Sequence, residues 1–354
     1  MRIVGNLDVE VTWARMDAAM RRARGEKAPS PDDPRFALPE PVMRKISAAA
    51  TLLRVFAQSE DDVLWTPRPV EPSRMARVAW LPTPRLESGP VPESADVWWG
   101  ERTQLAVRFN HRSFTQTQRE LGMYPTVQDG EGPAVIRTLD ELAARAADTR
   151  SWVAKAPLSA AGRLRVRGEG GPLGGPTRAQ ASRLLDLYGC LLFELWFDRT
   201  ADFGAACSVV GRTHDMGIVH DLLVDPNGRF LGIATPTRTP PPQSLNPLYC
   251  ALDVAEGLDL SRYQGPFGID VFLVRQPDGT ERLRLSEVNA RHTFGHVAND
   301  LAAKARASLG LDAASPVTLR FGRGAPPPDT IPLLLPGTDD DTSAWLEVPS
   351  RHAG

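Results

Sequence analysis

The chain lacks any run of about 18 apolar residues, so nothing in it reads as a membrane span. It has few cysteines. Cys190, Cys207 and Cys250 are odd in number, far apart and without a CxxC pair, which argues against a disulfide framework or a zinc site and for a reducing cytoplasm. It also lacks an excess of either charge: a formal net charge of −2 gives no basic field for nucleic acid. No GxGxxG follows the first strand and no GxxxxGK[ST] occurs, so neither a dinucleotide fingerprint nor a Walker A loop is indicated. No Ser-His-Asp or Cys-His arrangement stands out as a nucleophile, and there is no internal repeat. Lysine is scarce beside arginine, and proline is frequent at 32 residues, a composition of genome rather than of function.

What is present is concentrated near the C-terminus. Ile269 to Arg275 and Glu281 to Val288 are rich in β-branched or large apolar residues and flank Pro277-Asp278-Gly279, a strong hairpin signal. A turn centred between Asp278 and Gly279 sets Asp270 opposite Glu287, Phe272 opposite Leu285 and Val274 opposite Leu283. Asn289 joins the acidic face because strand side chains repeat every two residues. Two directly opposed acids repel unless a cation lies between them. Two carboxylates and an amide suit Mg²⁺ or Mn²⁺, with phosphates and water completing the octahedron. The competing reading is a pair of solvated acids on an edge hairpin.

At 354 residues the chain can bury a large core in two to three lobes. Met1-Arg-Ile-Val reads as a first strand rather than a signal peptide. Strands at Arg2–Val4, Asp62–Trp65 and Ala95–Trp98 alternate with helices at Val9–Arg22 and Pro41–Gln58. Further on, Ser113–Leu121 reads as helical, Thr138-x-x-Glu141 and Thr177-x-x-Gln180 each as the start of a helix, and Gly189 as the end of the last. Strands are expected at Cys190–Phe197, Ala205–Val210, Ile218–Val224 and Phe230–Ala234, with an Asn227-Gly228 turn between the last two and mostly antiparallel pairing. After about Ala314, proline, glycine and three consecutive aspartates read as a tail of loosely attached segments.

Trp152-Val-Ala-Lys155 reads as a strand that delivers a lysine to its end, followed by Ser159-Ala-Ala-Gly162 and Gly168–Gly175. Lys155 is either a phosphate clamp above a small-residue loop or a surface lysine. Glu194 interrupts the apolar strand Leu191–Phe197. It is either a buried acid that needs a partner, for which an adenine amino group would serve beside Trp196 and Phe197, or an acid on the solvent face. Asp198 and Asp202 follow where a ribose hydroxyl could be held.

Taken in order, these residues resemble the ATP-grasp superfamily. Lys155-Ala-Pro and the glycine loop are similar to its phosphate-covering segment, and Phe193-Glu194-Leu-Trp196 to its adenine hinge. Gly268-Ile-Asp270 and Glu287-Val-Asn289 resemble the metal-binding strands of D-alanine–D-alanine ligase, and Glu287-x-Asn289-x-Arg291 has the spacing of biotin carboxylase. The resemblance covers roughly residues 105–310. It implies an α+β ATP-grasp fold in which two subdomains clasp ATP, with an N-terminal α/β lobe at 1–104, the ATP-grasp domain at 105–313 and a Pro/Gly-rich tail at 314–354. It further implies Asp270, Glu287 and Asn289 on Mg²⁺ (or Mn²⁺), and Lys155 with the Gly162 loop on the phosphates. Glu194, Trp196 and Phe197 would meet adenine, and Asp202 the ribose. Arg291 would meet the charge of the transferring phosphoryl group, unless it is a structural partner of Asp270 or Glu287. The family's earlier lysine is missing; Arg112, or Arg108, is the nearest substitute. Arg163, Arg165 and Arg167 either close over phosphates or are solvated, and His292 and His296 lack a third zinc ligand. The activity implied is ATP-dependent ligation of a small-molecule or peptide carboxylate to an amine or thiol. A small-molecule kinase and a non-catalytic nucleotide-binding protein of the same fold are the alternatives. The oligomeric state is not legible.

Overall fold

The computed structural model describes residues 1–115, 134–159, 164–211, 213–226, 228–238, 246–260, 262–276 and 278–349. The first lobe is a parallel sheet of β1 (Arg2–Val4), β2 (Val63–Trp65), β3 (Arg85–Glu87) and β4 (Val97–Trp98), in the order β3-β2-β1-β4. Parallel neighbours require crossover connections, and helices α1 (Val9–Ala23) and α2 (Glu40–Ala50) lie in the connection between β1 and β2. In α1, Val9, Trp13, Ala14 and Ala18 recur at helical spacing and are buried. The helix expected over Pro41–Gln58 is α-helical only to Ala50; Thr51–Phe56 continues as a tighter 3₁₀ turn that buries Leu52 and Val55.

A second, antiparallel sheet contains β5 (Ala134–Ile136), β6 (Ser151–Lys155), β7 (Arg165–Glu169) and β8 (Leu191–Leu195), in the order β5-β8-β6-β7. Helix α3 (Gln104–Asn110) precedes it, and α4 (Leu139–Ala147) and α5 (Gly175–Tyr188) lie within it in sequence. The Thr138 hydroxyl accepts from Glu141 N at 3.1 Å and caps α4, as its spacing predicts. Thr177 does not cap α5. That helix begins two residues earlier, with Pro176 in its first turn, where a missing N–H costs nothing. It ends at Gly189, whose φ of +72° suits a residue without a Cβ. The helix expected from Ser113 is helical as far as residue 115 and then passes outside the described residues.

The third sheet has eight strands: β9 (Arg199–Val210), β10 (Thr213–Val224), β11 (Phe230–Thr235), β12 (Gly265–Arg275), β13 (Glu281–Asn289), β14 (Val317–Arg323), β15 (Ile331–Leu334) and β16 (Thr342–Glu347). Their order is β13-β12-β9-β10-β11-β14-β16-β15, with every pairing antiparallel. Helix α6 (Pro247–Leu260) covers one face through Val254 and Leu258 against Val209, Phe267 and Val271. Helix α7 (Phe294–Leu309) covers the other through Val297, Leu301 and Ala305 against Ile233 and Leu319.

The segment after Ala314 is not a loose tail. Strands β14, β15 and β16 extend the eight-stranded sheet, and Leu319, Leu333, Ala344 and Leu346 are fully buried. Two buried arginines bind this segment to the first lobe. Arg54 Nη2 donates to the carbonyls of Ala76 and Leu333, at 2.9 and 3.1 Å, and Arg74 Nη1 meets Asp340 at 3.3 Å. Among the described residues no helix is long and apolar enough to cross a membrane.

Candidate active site

Strands β12 and β13 pair Gly268 with Asn289, Ile269 with Val288 and Asp270 with Glu287, as the turn position predicts. One step further the register slips. Val271 faces Leu285, Phe272 faces Arg284 and Val274 faces Arg282, so the expected pairs Phe272–Leu285 and Val274–Leu283 do not form. The cause is a β-bulge at Ser286, which adds one residue to β13. The bulge sends Leu285 with Val271 into the core under α6. It also sets Arg284 opposite Phe272, and the Arg284 guanidinium lies 4.0 Å from the Phe197 ring centre.

Burial, then the facing Glu287, pushes the Asp270 carboxyl up to about 7, while Arg291 and Arg199 pull the other way. Two acids held this close in a cleft wall create a demand for positive charge. The donor set is oxygen only and fits Mg²⁺ or Mn²⁺. Among the described residues no group of three or more His, Cys, Asp or Glu could hold a metal; the hairpin brings together two carboxylates and the Asn289 amide. Asn289 is 6% exposed. The end of β13 is fastened to the segment before it: Val288 N donates to Thr115 Oγ1 at 3.0 Å, and Asn110 Nδ2 donates to Ala290 O at 3.2 Å.

Arg291 lines the same cleft but pairs with neither hairpin acid. Its Nη2 lies 3.2 Å from Glu10 Oε1 on α1, its Nη1 donates to His292 O at 3.1 Å, and its guanidinium lies 5.2 Å from the Trp99 ring. The first lobe, through Glu10 and Trp99, therefore holds the arginine in the cleft. Lys155 and Glu194, read separately as phosphate and adenine residues, sit on neighbouring strands β6 and β8 and form one ion pair, Nζ to Oε2 at 2.7 Å. Arg112 is not a free substitute for the missing lysine. It is 7% exposed, its Nη1 donates to Ala156 O and Ser159 Oγ at 2.6 and 2.7 Å, and its Nη2 lies 2.9 Å from both Ser159 O and Glu287 Oε1. It ties the turn after Lys155 to the hairpin. Replacing Arg112 with alanine strands those oxygens in a buried place, so we expect a loss of roughly 3–5 kcal/mol, read as a lower denaturant midpoint at unchanged slope.

The Trp196 ring carries Arg167 at 3.6 Å, with Arg199 and Arg165 at 5.5 and 5.7 Å. Arg165, half-buried, and Arg167, exposed, thus both lie against an aromatic face. Asp202 holds Arg199 Nη1 at 2.6 Å. Gly162 and Arg163 lie outside the described residues. His292 Nδ1 is 2.7 Å from Trp98 O in the first lobe, and His296 completes the capping box of α7 with Thr293, so both rings are engaged in structural contacts. The sequence reading missed Glu10, Trp99, Arg199 and His220, all of which line the cleft.

The first lobe and the two antiparallel sheet units bound one cleft of about 330 Å³. Its walls include Glu10 and Trp99 from the first lobe, Lys155 and Trp196 from the second unit, and Asp270 and Glu287 from the third. No family model and no curated protein matches the chain. Solved structures do. The N5-carboxyaminoimidazole synthetase of Staphylococcus aureus complexed with ADP matches over 99% of this chain and 92% of its own, with a TM-score of 0.57 at 9% identity. Another structure of that synthetase matches over 98% and 92%, with a TM-score of 0.54 at 10% identity. An ADP complex of an N5-carboxyaminoimidazole ribonucleotide synthetase matches over 98% and 91%, with a TM-score of 0.55 at 14% identity. At such identities the likeness is one of fold.

Proposed function

We propose, from the premise that this chain has the ATP-grasp fold, that it is an ATP-dependent ligase joining a carboxylate to an amine through an acyl phosphate. The observation that carries this reading is the meeting, in one cleft, of the facing acids Asp270 and Glu287 with the Lys155–Glu194 pair and the Trp196 hinge. Two of the structural neighbours hold ADP, which supports a nucleotide in the same place.

Glu194 accepts from the adenine amino group once Lys155 leaves it for a phosphate oxygen. The backbone at Trp196 and Phe197 reads the ring, and Asp202 accepts from a ribose hydroxyl. Asp270, Glu287 and Asn289 would hold Mg²⁺ (or Mn²⁺), which supplies charge neutralisation of the phosphates. A substrate carboxylate oxygen bonds to the γ-phosphorus as the bond to ADP breaks; the amine then bonds to the acyl carbon and phosphate leaves. Arg291, a permanently charged fork, meets the developing negative charge. Glu10 restricts its orientation. Positioning and electrostatics carry the rate, so no protein nucleophile is needed.

The test is Mg-ADP-dependent melting followed by a carboxylate–amine screen scored by ADP release. Nucleotide should raise the melting temperature, and ADP release should require both a carboxylate and an amine. No melting shift and no ADP release would remove the reading; a phosphorylated product that persists beside amines would make it a kinase. Lys155→Met should weaken Mg-ADP binding roughly 10- to 100-fold, the worth of a charge-assisted hydrogen bond, measured by titration calorimetry.

A further inference from the structure

His220 is the one imidazole among the described residues lining the cleft, and the mechanism above leaves it unused. It belongs to a row across the large sheet. His220 pairs with Gly204, Gly204 with Asp270 and Asp270 with Glu287, so all four positions share one face. Glycine at 204 leaves the space that the ring fills, because a Cβ there would overlap His220 Nε2 and push the ring aside. Glycine at 295, in the first turn of α7, leaves space on the other side: its Cβ would meet the same nitrogen at 2.8 Å. Two missing side chains thus make room for one ring. Its Nδ1 lies 3.2 Å from Ile218 O, the arrangement of an N–H donor, which leaves Nε2 with the lone pair.

The other cleft-lining groups able to accept a proton are engaged. Glu10 holds Arg291, Asp202 holds Arg199, and Asp270 faces Glu287, which holds Arg112; Glu194, outside the lining, holds Lys155. An amine that attacks an acyl phosphate must lose an N–H proton. We propose that His220 is a further catalytic residue, whose Nε2 accepts that proton from the attacking amine. The nitrogen bonds to the acyl carbon, the carbon–oxygen bond to phosphate breaks with its electron pair on phosphate, and the proton passes to Nε2. Burial pushes the ring's pKa down to about 4, so it is neutral at pH 7, and a bound triphosphate would raise its basicity. The groups facing it are Asp221 on its own strand, Asp270 across Gly204, and His296 on α7.

This inference rests on the ligase reading, and the experiment separates the two. The carboxylate and amine giving the fastest ADP release in the screen are used, with hydroxylamine as a second acceptor; it is already neutral at pH 7 and traps acyl phosphates without a base. For His220→Gln we expect amine-dependent product formation to fall roughly 100-fold while carboxylate-dependent hydroxamate formation stays within about twofold of the parent. Gly204→Ala, which displaces the ring without removing it, should show the same split. Mg-ADP-dependent melting checks that each variant is folded. Unchanged amine transfer in a folded variant overturns the role, and so does an equal loss of hydroxamate. A parent protein that forms no hydroxamate with any carboxylate overturns the ligase reading, and this proposal with it.

Discussion

Glu287→Gln should lower ADP release by roughly 10³-fold, the usual scale for removing a group that holds charge at a phosphoryl-transfer site. The amide keeps the shape of the side chain but loses the charge that Asp270, Asn289 and a divalent cation would share. Arg112, 2.9 Å away, would then lack its carboxylate partner as well. Asp270→Asn should be as inactive, yet its effect on stability has the opposite sign. The Asp270 carboxyl is raised from 3.8 to about 7 in the folded chain. The native state therefore keeps a proton that the unfolded state gives up between those values, and stability present below about pH 4 is lost as pH rises through 7. Asparagine carries no such loss. The Asp270→Asn protein should melt above the parent at pH 8 and near it at pH 4.5, by scanning fluorimetry without nucleotide. Mg-ADP should raise the parent's melting temperature and leave the variant's almost unmoved. A variant that binds Mg-ADP like the parent, or turns over at a tenth of its rate, would remove the hairpin from the site.

A chain ending at Ala313 should not fold. The missing residues include β14, which pairs with four residues of β11, and β16, which pairs with six of β14. Their loss would open the edge of β11 and unroof α7 and the first lobe, where Leu319, Leu333, Leu334, Ala344 and Leu346 are buried. Each fully buried leucine stabilises by roughly 1.5–3 kcal/mol, so losing four of them rivals the roughly 5–15 kcal/mol net stability of a folded domain. Arg54 and Arg74 would lose partners in the same segment. The expected result is insoluble protein, or soluble protein with no cooperative melt by circular dichroism. A shortened chain that melts sharply, with a nucleotide shift, would show that the segment is dispensable.

How much of this was legible depends on the distance over which each decision is made. The amino-acid order alone determined β1, the reach of α1, the Thr138 cap, the stop at Gly189 and the facing of Asp270 and Glu287. Each follows from helical or strand period, from capping, or from a turn within a few residues. Val317-Thr-Leu-Arg-Phe321 alternates as a strand should, but neighbouring proline and aspartate hid it, because composition averages over a window longer than the strand. The bulge at Ser286 was not legible, since it settles a competition between packing Leu285 under α6 and keeping the turn's register. The ion pairs that define the cleft were least accessible. Arg291 took Glu10 from the first lobe, Lys155 took Glu194 from a neighbouring strand, and Arg112 took Glu287. A buried charge is stabilised by whichever opposite charge the folded chain brings within a few ångströms. Sequence spacing names the charged groups, and only the crossing of distant segments decides which of them meet.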